Sequence, residues 1–87
     1  MNDSEKEDFL EHLGNEDAIL WDGFDDAIIG HDGNGKIVYD ADKMKDILVE
    51  RDEMTEEDAW EYLSFNVFGA YVGEYTPLHV FLKSNIN

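Results

Sequence analysis

The spacing of apolar residues near the N-terminus predicts a short amphipathic helix over residues 4–13. One side of this helix would carry Phe9, Leu10 and Leu13. Ser4 is placed to cap the helix, with Glu7 three residues later as in a capping box. Gly14 is a typical C-terminal stop, because glycine adopts the left-handed conformation without strain. We expect this helix, within residues 1–16, to lie at the periphery and cover an edge or face of the fold.

Two short runs rich in β-branched residues come next and are separated by turn residues. They are Ala27 to His31 and Lys36 to Tyr39. The four residues between them read Asp-Gly-Asn-Gly, and both dipeptides favour the tight turns that join hairpin strands. The pattern therefore predicts a β-hairpin. The preceding apolar run, Ala18 to Trp21, is compatible with a strand or with a helical turn.

After the hairpin, apolar residues recur at helical spacing, and this pattern predicts two further helices. The first is capped by Asp40 or Asp42 and carries Met44, Ile47 and Leu48 on one face. The second begins at a Thr55 cap, has an acidic first turn that suits the helix dipole, and ends at Gly73. Its main apolar face would comprise Ala59, Leu63, Asn66, Val67 and Ala70. The apolar coverage would be widened by Trp60, Tyr62, Phe65, Phe68 and Tyr71.

These elements predict a single α+β domain over residues 1–87. Thr76-Pro77 turns the chain, and Leu78 to Leu82 would form a last strand. We expect a small antiparallel β-sheet, made of the hairpin plus this C-terminal strand, packed against two to three helices. A chain of 87 residues leaves room for only one modest core.

Charge is the strongest feature of the composition, with a formal net charge of −16. The charge lies in the first two thirds, because residues 62–87 hold only one acid, Glu74, and one base, Lys83. We expect the neutral, aromatic final third to supply much of the core. Six scattered Lys and Arg residues make direct binding of nucleic acid or of an anionic membrane unfavourable. The absence of cysteine and of a signal-peptide pattern favours a protein of a reducing compartment such as the cytoplasm.

Motifs that suggest chemistry have weak support, and we expect no enzyme and no cofactor. The turn at residues 32–35 resembles part of a calcium loop, but Gly30 and Ala41 would occupy its two anchoring positions. Asp22, Asp25 and Asp26 form a carboxylate cluster that is a candidate magnesium site, without a phosphate-binding loop beside it. The three histidines have no metal-ligand spacing, and no serine lies in a nucleophile motif.

Dense acidic stretches point instead to recognition of a basic protein surface. The candidate binding residues are Glu50, Asp52, Glu53, Glu56, Glu57 and Asp58, with Asp22, Asp25 and Asp26 as a second patch. A rigid array of carboxylates can stand in for the phosphates of DNA, which carries about one charge per 1.7 Å of axis. Solubility is the competing explanation of the same charge. Trp21 and Tyr75 are the candidate aromatic anchors of an interface.

Several stretches of the chain are similar to a known group of proteins. They are Trp21 to Gly30, Val38 to Asp40, Met54 to Ala59 and Phe65 to Pro77. In order and spacing they resemble small acidic proteins that are encoded by bacteriophages and also found in bacterial genomes. The resemblance covers about residues 17–82. It implies a role of the kind common among small acidic phage proteins, which often bind and block host restriction, CRISPR or transcription complexes.

The sequence therefore favours a non-enzymatic, phage-type accessory protein that inhibits a host nucleic-acid-handling protein through an acidic face. Two alternatives stay open at this stage. One is a structural or obligate oligomer with Trp21, Phe68 and Tyr75 at the subunit contact. The other is a small metal-dependent enzyme that uses Asp22, Asp25 and Asp26.

Overall fold

The computed structural model describes residues 1–82, in which three α-helices pack with a small three-stranded sheet. The helices are α1 (Asp3–Leu13), α2 (Ala41–Arg51) and α3 (Glu56–Leu63), and the strands are β1 (Ile28–His31), β2 (Ile37–Asp40) and β3 (Leu78–Val80). A single 3-10 turn, Asp25–Ala27, precedes β1. The sheet order is β1-β2-β3, so that β2 is its central strand. The predicted α+β class is confirmed.

The hairpin forms where the turn residues predict it. The backbone N–H groups of Asn34 and Lys36 both donate to Asp32 Oδ1 at 2.9 Å. These bonds, with that from Lys36 the larger cause, hold the pKa of Asp32 below its ordinary value. Gly35 has φ +88°, and a Cβ there would lie 2.6 Å from Asn15 Nδ2. The Asp32 carboxylate, which resembled a calcium ligand, therefore stabilises the turn.

The N-cap of helix α1 lies two residues earlier than predicted. Asn2, not Ser4, caps the helix: its side chain accepts from the N–H of Glu5 at 2.8 Å. Glu5 completes the capping box by accepting from the N–H of Asn2 at 3.2 Å. Sequence alone could not separate the two caps, because Asn2 and Ser4 are both good N-cap residues. At the other end, Gly14 adopts the left-handed conformation as predicted.

Helices α2 and α3 begin at predicted caps, but α3 ends early. Asp40 caps α2, and Thr55 caps α3. After Leu63 the backbone widens into a π-helical turn, Ser64–Phe68, and the helical conformation stops there rather than at Gly73. A π turn changes the register of side chains around the axis. Asn66 is accordingly exposed, although a regular period placed it on the core face.

The C-terminal strand corrects the predicted topology. β3 pairs with β2 in the parallel direction, so the sheet is mixed rather than wholly antiparallel. Parallel neighbours require a long crossover, which residues 41–77 provide through α2, α3 and the loop that follows. Nothing in the three residues of β3 encodes their direction. The strand direction is set by the return path of this crossover.

The core lies between β2 and the inner faces of α2 and α3. Its fully or nearly buried apolar residues are Phe24, Ala27, Ile37, Tyr39, Ala41, Met44, Leu48, Ala59, Leu63 and Val67. Of the described part of the final third, residues 62–82, only Leu63 and Val67 belong to this set, fewer than the composition suggested. α1 has no buried residue and covers the core with three half-buried side chains, Phe9, Leu10 and Leu13.

Tyr39 connects the sheet to the segment before the hairpin. Its side chain is fully buried, and burial raises its pKa to about 12. Its hydroxyl accepts from the backbone N–H of Trp21 at 2.7 Å. Trp21 in turn donates through Nε1–H to His79 Nε2 at 2.7 Å and stacks on that ring. Ala18 to Trp21 forms neither helix nor strand: the Ala18 N–H donates to the Asn15 carbonyl, and the Trp21 N–H donates to the Tyr39 side chain.

No helix within residues 1–82 is long and apolar enough to cross a membrane. The longest helices, α1 and α2, have 11 residues each. About 20 apolar residues are needed for a helical span.

Replacing Tyr39 with Phe should lower the free energy of unfolding by about 1–2 kcal/mol, because the Trp21 N–H loses its acceptor in a partly buried site. Urea unfolding followed by far-UV circular dichroism measures this loss. Tyr71→Phe is the matched control, since the Tyr71 side chain is 80% exposed. Its effect should stay within about 0.5 kcal/mol. Equal effects of the two variants would contradict the role given to the Tyr39 hydroxyl.

Candidate functional site

The predicted acidic stretch forms the junction between α2 and α3, which we call the acidic corner. It comprises Glu50, Asp52, Glu53, Glu56, Glu57 and Asp58, all of them exposed. Backbone hydrogen bonds make the junction rigid: the N–H groups of Asp52 and Met54 both donate to the Leu48 carbonyl, at 3.1 and 3.4 Å. Thr55 then caps α3 by accepting from the Asp58 N–H at 3.1 Å. The carboxylates therefore project from fixed backbone.

Only two acids of the corner are paired with cations of the described chain. Asp52 pairs with Arg51 at 3.0 Å, which holds the pKa of Asp52 below its ordinary value. Glu56 pairs with Lys45 at 2.9 Å, and Asp46 pairs with the same amino group. The carboxylates of Asp46 and Glu56 raise the pKa of Lys45. No ion pair with a base of residues 1–82 engages the other four, Glu50, Glu53, Glu57 and Asp58. The same holds for Glu61, one turn along α3.

Glu53 occupies a backbone position that suits glycine. Its φ is +56°, and it is the one non-glycine residue of positive φ in the described part of the chain. The left-handed conformation costs a residue with a Cβ about 1–2 kcal/mol. The corner thus retains a carboxylate at its apex against a local backbone preference.

Arg51 ties the acidic corner to the second predicted patch. Its Nη1 donates to the Gly23 carbonyl at 2.7 Å, and its guanidinium lies 5.5 Å from the centre of the Phe24 ring. Gly23 has φ +86°, and a Cβ there would lie 2.8 Å from Nη1. Glycine therefore suits the left-handed backbone here and leaves room for the close approach of Arg51.

This contact brings residues of both predicted patches to one open cleft of about 430 Å³. Its lining residues are Gly23, Asp25, Asp26, Ile47, Glu50 and Arg51. Asp25 and Asp26 come from the 3-10 turn before β1, and Glu50 comes from the last turn of α2. Glu50 is more than twenty residues away from Asp25 and Asp26 in the sequence. Folding places them beside a single arginine.

The aspartate cluster does not have the geometry of a metal site. Asp25 pairs with Lys6 at 3.0 Å, whereas Asp26 accepts from the amino group of Met1. This amino group holds the pKa of Asp26 below its ordinary value. Asp22 lies in the preceding turn and is exposed. Across the described residues, no group of three or more His, Asp or Glu side chains is arranged to hold one metal ion.

The two predicted aromatic anchors, Trp21 and Tyr75, are both partly buried. Trp21 is held by its bonds to Tyr39 and His79, so much of its ring serves the fold. Tyr75 lies in the turn before β3 and lines a shallow depression with Asn34, Lys36 and Glu74. Their role in partner binding stays a prediction.

Of the three most exposed aromatic side chains of the described residues, Phe65 and Tyr71 were predicted to add apolar coverage to a helix, and Phe81 was predicted to lie in the last strand. Tyr71 is 80% exposed, Phe65 79% and Phe81 63%. A stricter helical wheel would have identified Phe65. At about 100° per residue, it lies some 200° from Leu63, whereas Val67 returns to the side of Leu63. Tyr71 lies beyond the helix, and no local pattern marks it.

Replacing Glu53 or Glu61 with glycine should affect stability differently, because Glu53 has a strained backbone and Glu61 lies in a regular helix. Glu53→Gly should leave the free energy of unfolding unchanged or raise it by up to about 1 kcal/mol, as relief of strain is partly offset by the greater freedom of unfolded glycine. Glu61→Gly, which removes the same charge from the middle of α3, should lower it by about 1 kcal/mol. Urea titrations of both variants test this. A loss for Glu53→Gly as large as that for Glu61→Gly would refute the strain.

His79 should make stability depend on pH below about 6.5. Burial lowers the pKa of His79 beneath its ordinary value of 6.5, so the unfolded chain binds the proton first as pH falls. Protonation also removes the acceptor of the Trp21 Nε1–H. The contribution is therefore complete above pH 6.5 and is lost as pH falls through the folded-state pKa.

His79→Gln keeps an acceptor for Trp21 but does not titrate, and so isolates this effect. Urea unfolding at a series of pH values from 7.5 to about 5 measures it. The advantage of the natural chain over the variant should shrink as the pH falls. Stability curves that run parallel would show that His79 is not responsible.

Comparisons with known proteins do not assign this chain to a family. The chain matches no protein-family model, no curated protein and no solved structure. The resemblance to small acidic phage proteins therefore remains an expectation from the residues quoted for it. The site has to be interpreted from its own contacts and charges.

Proposed function

We propose that this chain is a non-enzymatic accessory protein, phage-encoded and acting in the cytoplasm of a bacterial host. It binds a host nucleic-acid-handling protein through the acidic corner and inhibits it by occupying the basic surface that nucleic acid would use. The proposal is supported mainly by one observation. Carboxylates without an ion pair to any base of residues 1–82 stand at the corner, on the ends of α2 and α3 and on the hydrogen-bonded junction between them.

Rigidity distinguishes such a surface from charge that serves solubility alone. Solubility requires only that acids face water, and flexible loops or tails would serve it equally well. At the corner, by contrast, a capped helix start and the bonds to the Leu48 carbonyl determine where the backbone beneath each carboxylate lies. Glu57 and Glu61 are one helical turn apart, a rise of about 6 Å. Charges of DNA along one strand are spaced by about 3.4 Å of axis, so this rise corresponds to nearly two phosphate steps.

Glu53 supports the same proposal from the energetics of the backbone. A glycine at this position would relieve the strain of the left-handed conformation. Retaining glutamate sacrifices stability for a side chain at the apex of the corner. Strain of this kind is often found at binding and catalytic positions.

The proposal predicts that binding depends on the position of the charges as well as on their number. We expect Glu53→Lys with Glu57→Lys to abolish retention of the partner when the tagged protein is mixed with bacterial lysate. Like charges on the corner and the basic partner would then repel. The natural protein should release its partner at moderate salt, because exposed ion pairs are screened. Mass spectrometry of the eluate, followed by competition with duplex DNA, identifies whether the partner handles nucleic acid.

The matched control reverses two acids of α1, Glu7→Lys with Glu11→Lys, which changes the net charge by the same amount. Both residues are exposed and lie far from the corner in sequence. This variant should retain the partner, and thermal unfolding of both variants confirms that they fold. If the two double variants lose the partner equally, net charge rather than the corner governs binding. Retention that survives high salt would rule out the electrostatic proposal.

A further inference from the structure

The outer side of α3 carries a shallow apolar groove directly beside the acidic corner. We call it the α3 groove, and it encloses about 370 Å³. Its lining residues are Met54, Asp58, Glu61, Tyr62, Phe65 and Asn66. The opposite side of the same helix packs into the core through Ala59 and Leu63. Helix α3 therefore contributes side chains both to the core and to this exposed groove.

Phe65 in this groove is not used by the fold. It is 79% exposed, and it does not belong to the core or to the half-buried side chains packed against the core. Tyr62, one turn earlier, is 42% exposed. Removing a Phe side chain from water is worth about 1.5–3 kcal/mol. This gain remains available to a partner, and aromatic side chains are preferred anchors of interfaces.

The backbone under the groove has helical and π-helical conformation, which fixes the positions from which the two aromatic side chains project. Phe65 and Asn66 lie in the π-helical turn Ser64–Phe68. Asn66 Nδ2 donates to the Tyr62 carbonyl at 3.0 Å, which satisfies an acceptor where the helix changes register. A partner would therefore lose little free energy in ordering this surface.

Charge selects the kind of partner that the groove fits. Asp58 and Glu61 line the groove beside the two aromatic rings, and neither forms an ion pair with a base of residues 1–82. A second copy of the chain would bring a molecule of net charge −16 towards these carboxylates. A cationic partner would instead gain from them. Charge complementarity thus favours a basic occupant with an apolar side chain to cover Phe65.

We propose that the α3 groove binds a basic amphipathic segment of another protein. An apolar side chain of that segment packs on Tyr62 and Phe65, and a neighbouring Lys or Arg pairs with Asp58 or Glu61. The inference rests on the proposed function, because it requires a partner with a basic surface. It adds that affinity depends on an apolar contact in the groove as well as on charge.

Two synthetic peptides of equal charge provide the test. One is a 14-residue helix former that repeats Leu-Lys-Lys-Leu-Leu-Lys-Leu, and the other has Gln in place of every Leu. Titration calorimetry at 0.15 M NaCl should show that the natural protein binds the Leu peptide at least about tenfold more tightly, as expected from about 1.5 kcal/mol of apolar burial. Phe65→Ala should remove this preference. Ile29→Ala, which truncates a side chain on β1 that is 49% exposed, should leave it intact.

The outcomes separate the groove from the acidic corner. If the natural protein binds both peptides equally, or if Phe65→Ala keeps the preference, the groove is not the apolar site and the proposed function is unaffected. If neither peptide binds even at low salt, recognition of basic surfaces fails, and with it both proposals. Sedimentation velocity without peptide tests the remaining occupant. A dimer that Phe65→Ala converts to monomer would overturn the proposal in favour of a second copy.

Discussion

Burial of Tyr39 on the central strand is the constraint on which the arrangement of the other elements depends. β2 is the only strand of residues 1–82 with neighbours on both sides, and Tyr39 is fully buried there. A buried hydroxyl must be hydrogen-bonded, and this one accepts from the Trp21 backbone. Trp21 then reaches His79 on β3. Two side chains, Tyr39 and Trp21, thereby couple the hairpin, the segment before it and the parallel strand that closes the sheet.

The small core leaves the remaining surface divided into two regions of different chemistry. Acidic residues dominate the chain up to Glu61, and their mutual repulsion opposes folding. From Tyr62 onward, by contrast, charge almost vanishes. Apart from Met1 and Ile29, the exposed large apolar side chains of residues 1–82 all lie in this part. α3 crosses the boundary between the two regions, since carboxylates line its first turn and aromatic rings its end. A partner that covers this boundary could use both charge and apolar burial.

Short sequence patterns were sufficient to predict features that are stabilised by interactions between neighbouring residues. The hairpin turn depends on the Asp32 side chain and on the conformational freedom of Gly35. The caps of α2 and α3 need only Asp40 and Thr55 beside the first free N–H groups. These interactions span two to four residues, so they can be recognised without knowledge of the fold. The exposure of the acidic corner follows in the same way from the density of its charge.

Features that depend on distant segments required the folded chain. The parallel direction of β3 results from the path of α2 and α3, and the shared cleft of Asp26 and Glu50 exists because Arg51 reaches Gly23. The exposure of Tyr71 could not be inferred from its hydrophobicity, because Tyr71 lies beyond the helix and no local pattern marks it. Composition and short-range pattern therefore established the α+β class, the hairpin and the charge of the surface. Which side chains meet, and which aromatic rings face solvent, was decided by competition among distant segments for one small core.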